Sequence, residues 1–116
     1  MKEEIRRAIA FTLLAPESGE ADAFLYSHAL DHRTKMRGNR RDFHDYGADA
    51  RVVNYGTQLY HYGLWQYVDL AVNGASFSGY DHGSKNHFEG VINSGTVQLY
   101  DRSESRYFQY AIAPPP

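Results

Sequence analysis

Ten tyrosines and six histidines stand in a chain of 116 residues, and their spacing limits the chemistry open to them. His28 and His32 are four apart with Asp31 between them. On a helix that spacing turns both imidazoles to one side, as a metal pair needs, and His44 and Asp45 could supply further ligands. No His-Glu-x-x-His motif surrounds them, and nothing fixes a third ligand. A helix face resting on a sheet is the simpler reading, so no metal and no other cofactor is expected. His44-Asp45, Tyr80-Asp81-His82 and His87 also offer acid–base groups. A histidine beside arginine and tyrosine could cleave RNA without a metal. No nucleophile or oxyanion site is marked, however, and Asp81 and His82, adjacent on a strand, point to opposite faces. No catalytic residue is assigned, and binding is favoured over catalysis.

Two sets of residues could bind. Tyr60, Tyr67, Tyr80, His87, Tyr100 and Tyr107 fall on one face of a sheet if the chain alternates as strands do. Stacked phenol rings on a flat sheet make a platform for a sugar ring, a nucleobase or a peptide. The competing reading packs helices on that face. The second set is basic. Arg33, Lys35, Arg37, Arg40 and Arg41 crowd residues 33–41 with no acid among them, and Phe43 and His44 follow. Arg37, Arg40, Arg41 and His44 are the candidates for phosphate contact in a nucleic-acid-binding protein or a small metal-independent nuclease. A solvated helix C-terminus explains the same run. The expected function is a non-enzymatic interaction module using the tyrosine face for a protein or a small polar or glycan ligand. Nucleic-acid binding is the alternative.

The elements that must position these residues follow from periodicity. Ile5, Ala8, Ile9, Thr12 and Leu13 share a helical face, and Pro16 closes the segment, which predicts a helix over 3–14. Ser18 as N-cap and the spacing of Ala21, Phe24, Leu25, His28, Ala29 and His32 predict a second helix to about Met36. A helical hairpin over 1–37 and a basic-then-acidic connection over 38–51 result. From Arg51 the period becomes two. Tyr60, Tyr80 and Tyr100 then open three copies of a twenty-residue unit, long enough for a β-hairpin. Strands are expected near 52–62, 66–72, 76–82, 86–92, 96–102 and 106–112, with a Pro-rich tail at 113–116. Asn73-Gly74 reads as a type I′ turn.

The fold class expected is therefore α+β: one domain over 1–116, with an antiparallel meander of about six strands, strongly bent or partly closed. Val68, Leu70, Phe77, Phe88, Val97, Leu99 and Phe108 form the core face. In the same register Phe88 faces Gly79 and Phe77 faces Gly90, an aromatic-over-glycine device that lets a sheet bend. A meander left open would pair with a second copy through the strand at 106–112 or at 52–59. Net charge is -2 and cysteine is absent, so no global basic field and no disulfide framework is present. A cytoplasmic, non-membrane protein is expected.

The run from Phe77 to Tyr110, with Gly79-Tyr80-Asp81, His87-Phe88-Glu89-Gly90, Leu99-Tyr100-Asp101 and Tyr107-Phe108-Gln109-Tyr110, resembles small bacterial β-hairpin-repeat domains. That likeness brings no activity with it. Tyr80-Asp81 and Tyr100-Asp101 are similar to YD-type hairpin repeats, although Gly83 falls early and the third copy has no glycine there. His87-Phe88-Glu89-Gly90 is similar to the Tyr-Glu-Gly core of MORN-type repeats, whose period is longer. Both likenesses imply a scaffold or binding sheet.

Overall fold

The fold, taken from a computed structural model, is described here for residues 1–114. It is one helix and an antiparallel meander closed into a barrel. Helix α1 spans Glu3–Leu14, as periodicity predicts. Ten strands follow: β1 Ala21–Ser27, β2 His32–Asn39, β3 Asp42–Asp45, β4 Ala50–Asn54, β5 Gln58–His61, β6 Gln66–Asn73, β7 Ser76–Asp81, β8 Asn86–Asn93, β9 Thr96–Asp101 and β10 Arg106–Ala113. Each pairs with its neighbours in sequence, and β1 pairs with β10 to close the ring. The predicted tail begins inside β10, and its last two positions lie outside the described residues.

The second predicted helix is instead the hairpin β1–β2. Its true period is two. Leu25 and Ser27 on β1, and Thr34, Met36 and Gly38 on β2, turn inward, while Arg33, Lys35 and Arg37 turn outward. The predicted connection over 38–51 holds β3 and the start of β4. The strand expected over 52–62 is two strands, divided at Gly56, whose φ is +105°. The expected register is present: Gly79 pairs with Phe88 and Phe77 with Gly90. At the tight turns, φ is positive at both Ser94 and Gly95 but, of Gly74 and Ala75, at Gly74 alone. The I′ pattern therefore belongs to the second turn and not to the first.

One turn geometry recurs five times. Asp31, Asp49, Trp65, Lys85 and Ser105 all have positive φ at the same place in the hairpins β1–β2, β3–β4, β5–β6, β7–β8 and β9–β10. Four residues earlier stands a buried polar side chain: Ser27, Asp45, His61, Asp81 or Asp101. Asp81 shows its purpose. Its carboxylate accepts the Gly83 and Ser84 backbone N–H groups, the Ser84 hydroxyl and the Gln66 side-chain amide. The repeat thus begins at β1, well before Tyr60.

Helix α1 fills the barrel. Ile5, Ile9, Ala10 and Phe11 are fully buried, and the helix touches opposite walls. Phe11 meets Phe43 of β3 edge-on at 4.8 Å. Arg7 Nε donates to Asp45 of β3 at 2.9 Å, Arg6 Nη1 to Asp101 of β9 at 2.8 Å, and the Tyr110 hydroxyl of β10 to Glu3 at 2.6 Å. Arg6 also lies 3.8 Å over the Phe108 ring. A ring of ten strands is too wide to be filled by its own side chains. The helix, with Ala8 and Ala10 letting it lie close to the wall, supplies the missing volume.

Candidate functional site

Strand alternation sends Tyr60, Tyr67, Tyr80, His87, Tyr100 and Tyr107 to the outside of the barrel. Helix α1 is on the apolar face, so no described helix covers them, and Tyr60, Tyr80 and Tyr100 are half-buried. They pair across strands: Tyr60 with Tyr67, Tyr80 with His87, Tyr100 with Tyr107. Ring centroids lie 4.6, 4.9 and 4.8 Å apart, and each such pair stabilises the sheet by about 0.2–1 kcal/mol. Tyr67 and Tyr107 are well exposed.

The row is part of a belt. Tyr60 meets Tyr62, Tyr80 meets His82, His44 meets Tyr46 and Tyr26 meets His28, each at 4.7–4.9 Å. The belt is richest over β4–β6, where the Tyr55 and Tyr62 hydroxyls are 2.9 Å apart and Trp65 is 77% exposed. Sequence reasoning overlooked Trp65. Its one signal is that a large apolar residue takes the positive-φ turn position that Asp, Lys and Ser fill elsewhere.

Beside the belt, the outer wall of β5–β9 holds a groove of about 630 Å³. Ala71, Ser78 and Gly79 make a floor of small residues, and Tyr80 and His87 make an aromatic wall. The rest of the lining is polar and paired. Asp69 accepts from Gln58 Nε2 at 2.8 Å and meets His82 Nε2 at 3.0 Å. Hydrogen bonds from Gln58 and His82, outweighing desolvation, hold its carboxyl below the usual value. Arg102 Nη2 donates to both Glu89 oxygens at 2.8 and 2.9 Å. Asp69, Glu89, Arg102 and Gln58 were not singled out by sequence. Alternation points Asp69 and Glu89 outward, and the register sets Asp69 opposite Tyr80 and Glu89 opposite Ser78.

The other candidates separate. His28 sits in a turn and His32 begins β2, so the two do not share a helix face. Among the described residues no group of three or more His, Asp or Glu is gathered as a metal site requires. Asp45 and Asp81 point inward and bind turn amides, whereas His44, His82 and His87 are outside. The basic run is distributed. Arg37 donates to Asp22 at 2.9 Å, Lys35 is 3.8 Å from Asp22, Arg40 donates to the Ala15 carbonyl, His44 meets Asp49 at 3.0 Å, and Arg41 is exposed. No described helix is long and apolar enough to cross a membrane. Compared with protein-family models, curated proteins and solved structures, the chain matches none of them.

Proposed function

We propose that the protein is a non-catalytic binding module whose ligand is a saccharide chain, held on the outer wall of β5–β9. One observation carries this reading. An open groove with a floor of small residues has an aromatic pair along one side, Tyr80 half-buried and His87 exposed, and hydrogen-bonded carboxylates within it. Sugar rings offer an apolar C–H face to an aromatic ring and a rim of hydroxyls to planar polar groups. Tyr80 and His87 supply the ring faces. Asp69, Gln58, Glu89 and Arg102 supply acceptors and donors whose orientation is already set by their mutual bonds. Tyr60, Tyr67, Tyr100 and Tyr107 extend the aromatic surface on both sides, enough for several linked sugars.

The outward mid-strand positions include Lys35, Arg37, Asp69, Glu89, Gln98 and Gln109. This polarity suits a wall facing water and disfavours a lipid-facing band. The nucleic-acid reading has less support, because Arg37 is already paired with Asp22 and His44 with Asp49.

The test is an amide-detected NMR titration with a panel of neutral oligosaccharides. A ligand should shift Tyr80, His87 and Glu89 together. Tyr80→Ala should weaken it roughly five- to thirtyfold, about 1–2 kcal/mol, and raising salt should leave affinity almost unchanged. Binding only to single-stranded oligonucleotides, falling steeply with salt and lost in an Arg40→Ala, Arg41→Ala double variant, would instead establish the phosphate reading. Saccharide shifts that avoid the groove would overturn the proposal.

A further inference from the structure

The barrel is unequal at its two ends. At the end where α1 begins, buried carboxylates, arginines and turn amides close it. At the other end α1 stops at Leu14, and β4 and β5 stop at Asn54 and Gln58. The hairpins β6–β7 and β8–β9 continue past them: β5 pairs with residues 66–69 of β6, the Leu70 N–H still donates to the Thr57 carbonyl at 3.0 Å, and residues 71–73 pair with β7 alone. The overhanging residues keep the inward alternation, yet they are incompletely covered, Ile92 packing against the edge of the core. Val72 is 54% exposed and Ile112 41%, although both point along the core face. Ile92 is half-buried.

Between this overhang and the end of α1 lies a second recess of about 640 Å³, within the ordinary range for small-ligand sites of about 300–1,000 Å³. Its walls are Leu13, Leu70, Val72 and Ile92, and among the described lining residues Arg40 alone is charged. Arg40 is anchored through Nε and Nη2, which donate to the Ala15 carbonyl at 3.3 and 3.1 Å. Among the described residues its remaining nitrogen, Nη1, has only Glu17 at 3.6 Å, and that carboxylate is 84% exposed. An exposed pair at that distance is weak, worth at most about 1 kcal/mol, so a competing anion can displace it.

We infer that this mouth binds a single-chain amphiphile with an anionic head, such as a medium-length carboxylate. Its chain lies against Leu13, Leu70, Val72 and Ile92, and its head meets Arg40 Nη1. A concave apolar recess with one cation at its edge favours a small amphiphile over a flat protein partner. The anchoring of Arg40 by the helix end places the charge in advance, so little side-chain freedom is lost on binding.

The experiment is a methyl-detected NMR titration of the full chain with decanoate below its micellar concentration, beside decyltrimethylammonium of equal chain length. Decanoate should shift the Leu13, Val72 and Ile92 methyls saturably and bind about tenfold or more tightly than the cation. Arg40→Gln should abolish that preference. Because Arg40→Gln also touches the helix end, Val72→Asp provides a second check. Val72 is exposed, so the fold should survive, and the added carboxylate should repel decanoate. Equal binding of both chains, shifts scattered away from the mouth, no saturable shift, or unchanged decanoate binding in Val72→Asp would each overturn the inference.

Discussion

His61 is buried at the position that Asp45, Asp81 and Asp101 occupy in other hairpins. Its Nδ1 accepts the Leu64 N–H at 3.1 Å, while Nε2 is buried with no hydrogen-bond partner among the described residues. Burial pushes its pKa below the usual 6.5, only partly offset by the carboxylates of Asp45 and Glu4, and Arg7 pushes it the same way as burial. Between that lowered value and about 6.5 the unfolded chain binds more protons than the folded one, so stability falls as pH drops through this window. His61→Asn keeps an acceptor for Leu64 and removes the titration. Urea unfolding at about pH 7 and about pH 5.5 should show a smaller loss in this variant than in the parent. Asp101 acts in a lower window. Burial would raise its pKa, but bonds from Ser103 and Arg6 win and lower it below 3.8. Its contribution is therefore present above that value and lost as pH falls through the folded one. Glycines test the wall in another way. A Cβ at Gly79 would overlap the Asp69 carbonyl and the Phe88 ring, whereas one at Gly74 meets open space at φ +63°. Gly79→Ala should destabilise by about 1–3 kcal/mol or more, and Gly74→Ala by about 1 kcal/mol, as read from urea midpoints. The reverse order would remove the bend assigned to Gly79.

Helix α1 was legible because its apolar residues recur at one spacing and Pro16 ends it. The hairpin β1–β2 was not. Of its inward positions Leu25 and Met36 are apolar, but Ser27, Thr34 and Gly38 are small or polar and break the alternation, while Phe24, Leu25, His28 and Ala29 imitate a helical face. Ser27 faces inward because its hydroxyl accepts the Leu30 N–H of the β1–β2 turn. The helix itself invites removal. Phe11→Ala should cost about 3–5 kcal/mol, since the ring is wholly enclosed. Arg6→Ala should cost about 1–3 kcal/mol, because the buried Asp101 carboxylate loses a charge-assisted bond while keeping Ser103 and the Met1 amino group. A fragment over 16–116 should lose its near-UV circular dichroism, because the lumen would be left empty. A cooperative melt of that fragment near the parent midpoint would refute the helix as core.

At the scale of the whole molecule, closure decides solution behaviour. Each described strand has two neighbours. The strand at 106–112 is bonded to β1 as well as β9, and the strand at 52–59 divides into β4 and β5, both internal. Edge pairing between copies, expected of an open meander, has no full-length edge to use, only the short overhang of β6 at 71–73. Sedimentation should therefore give one monomeric mass independent of concentration. The sequence alone determined the first helix, the twenty-residue period, the outward aromatic row, the cross-strand partners and the glycine–phenylalanine register. Each of these is encoded by contacts a few residues apart or by strict alternation. Tertiary structure alone decided that the sheet closes with ten strands and that the helix lies inside. Those outcomes depend on lumen volume and on β1 meeting β10, and local periodicity encodes neither.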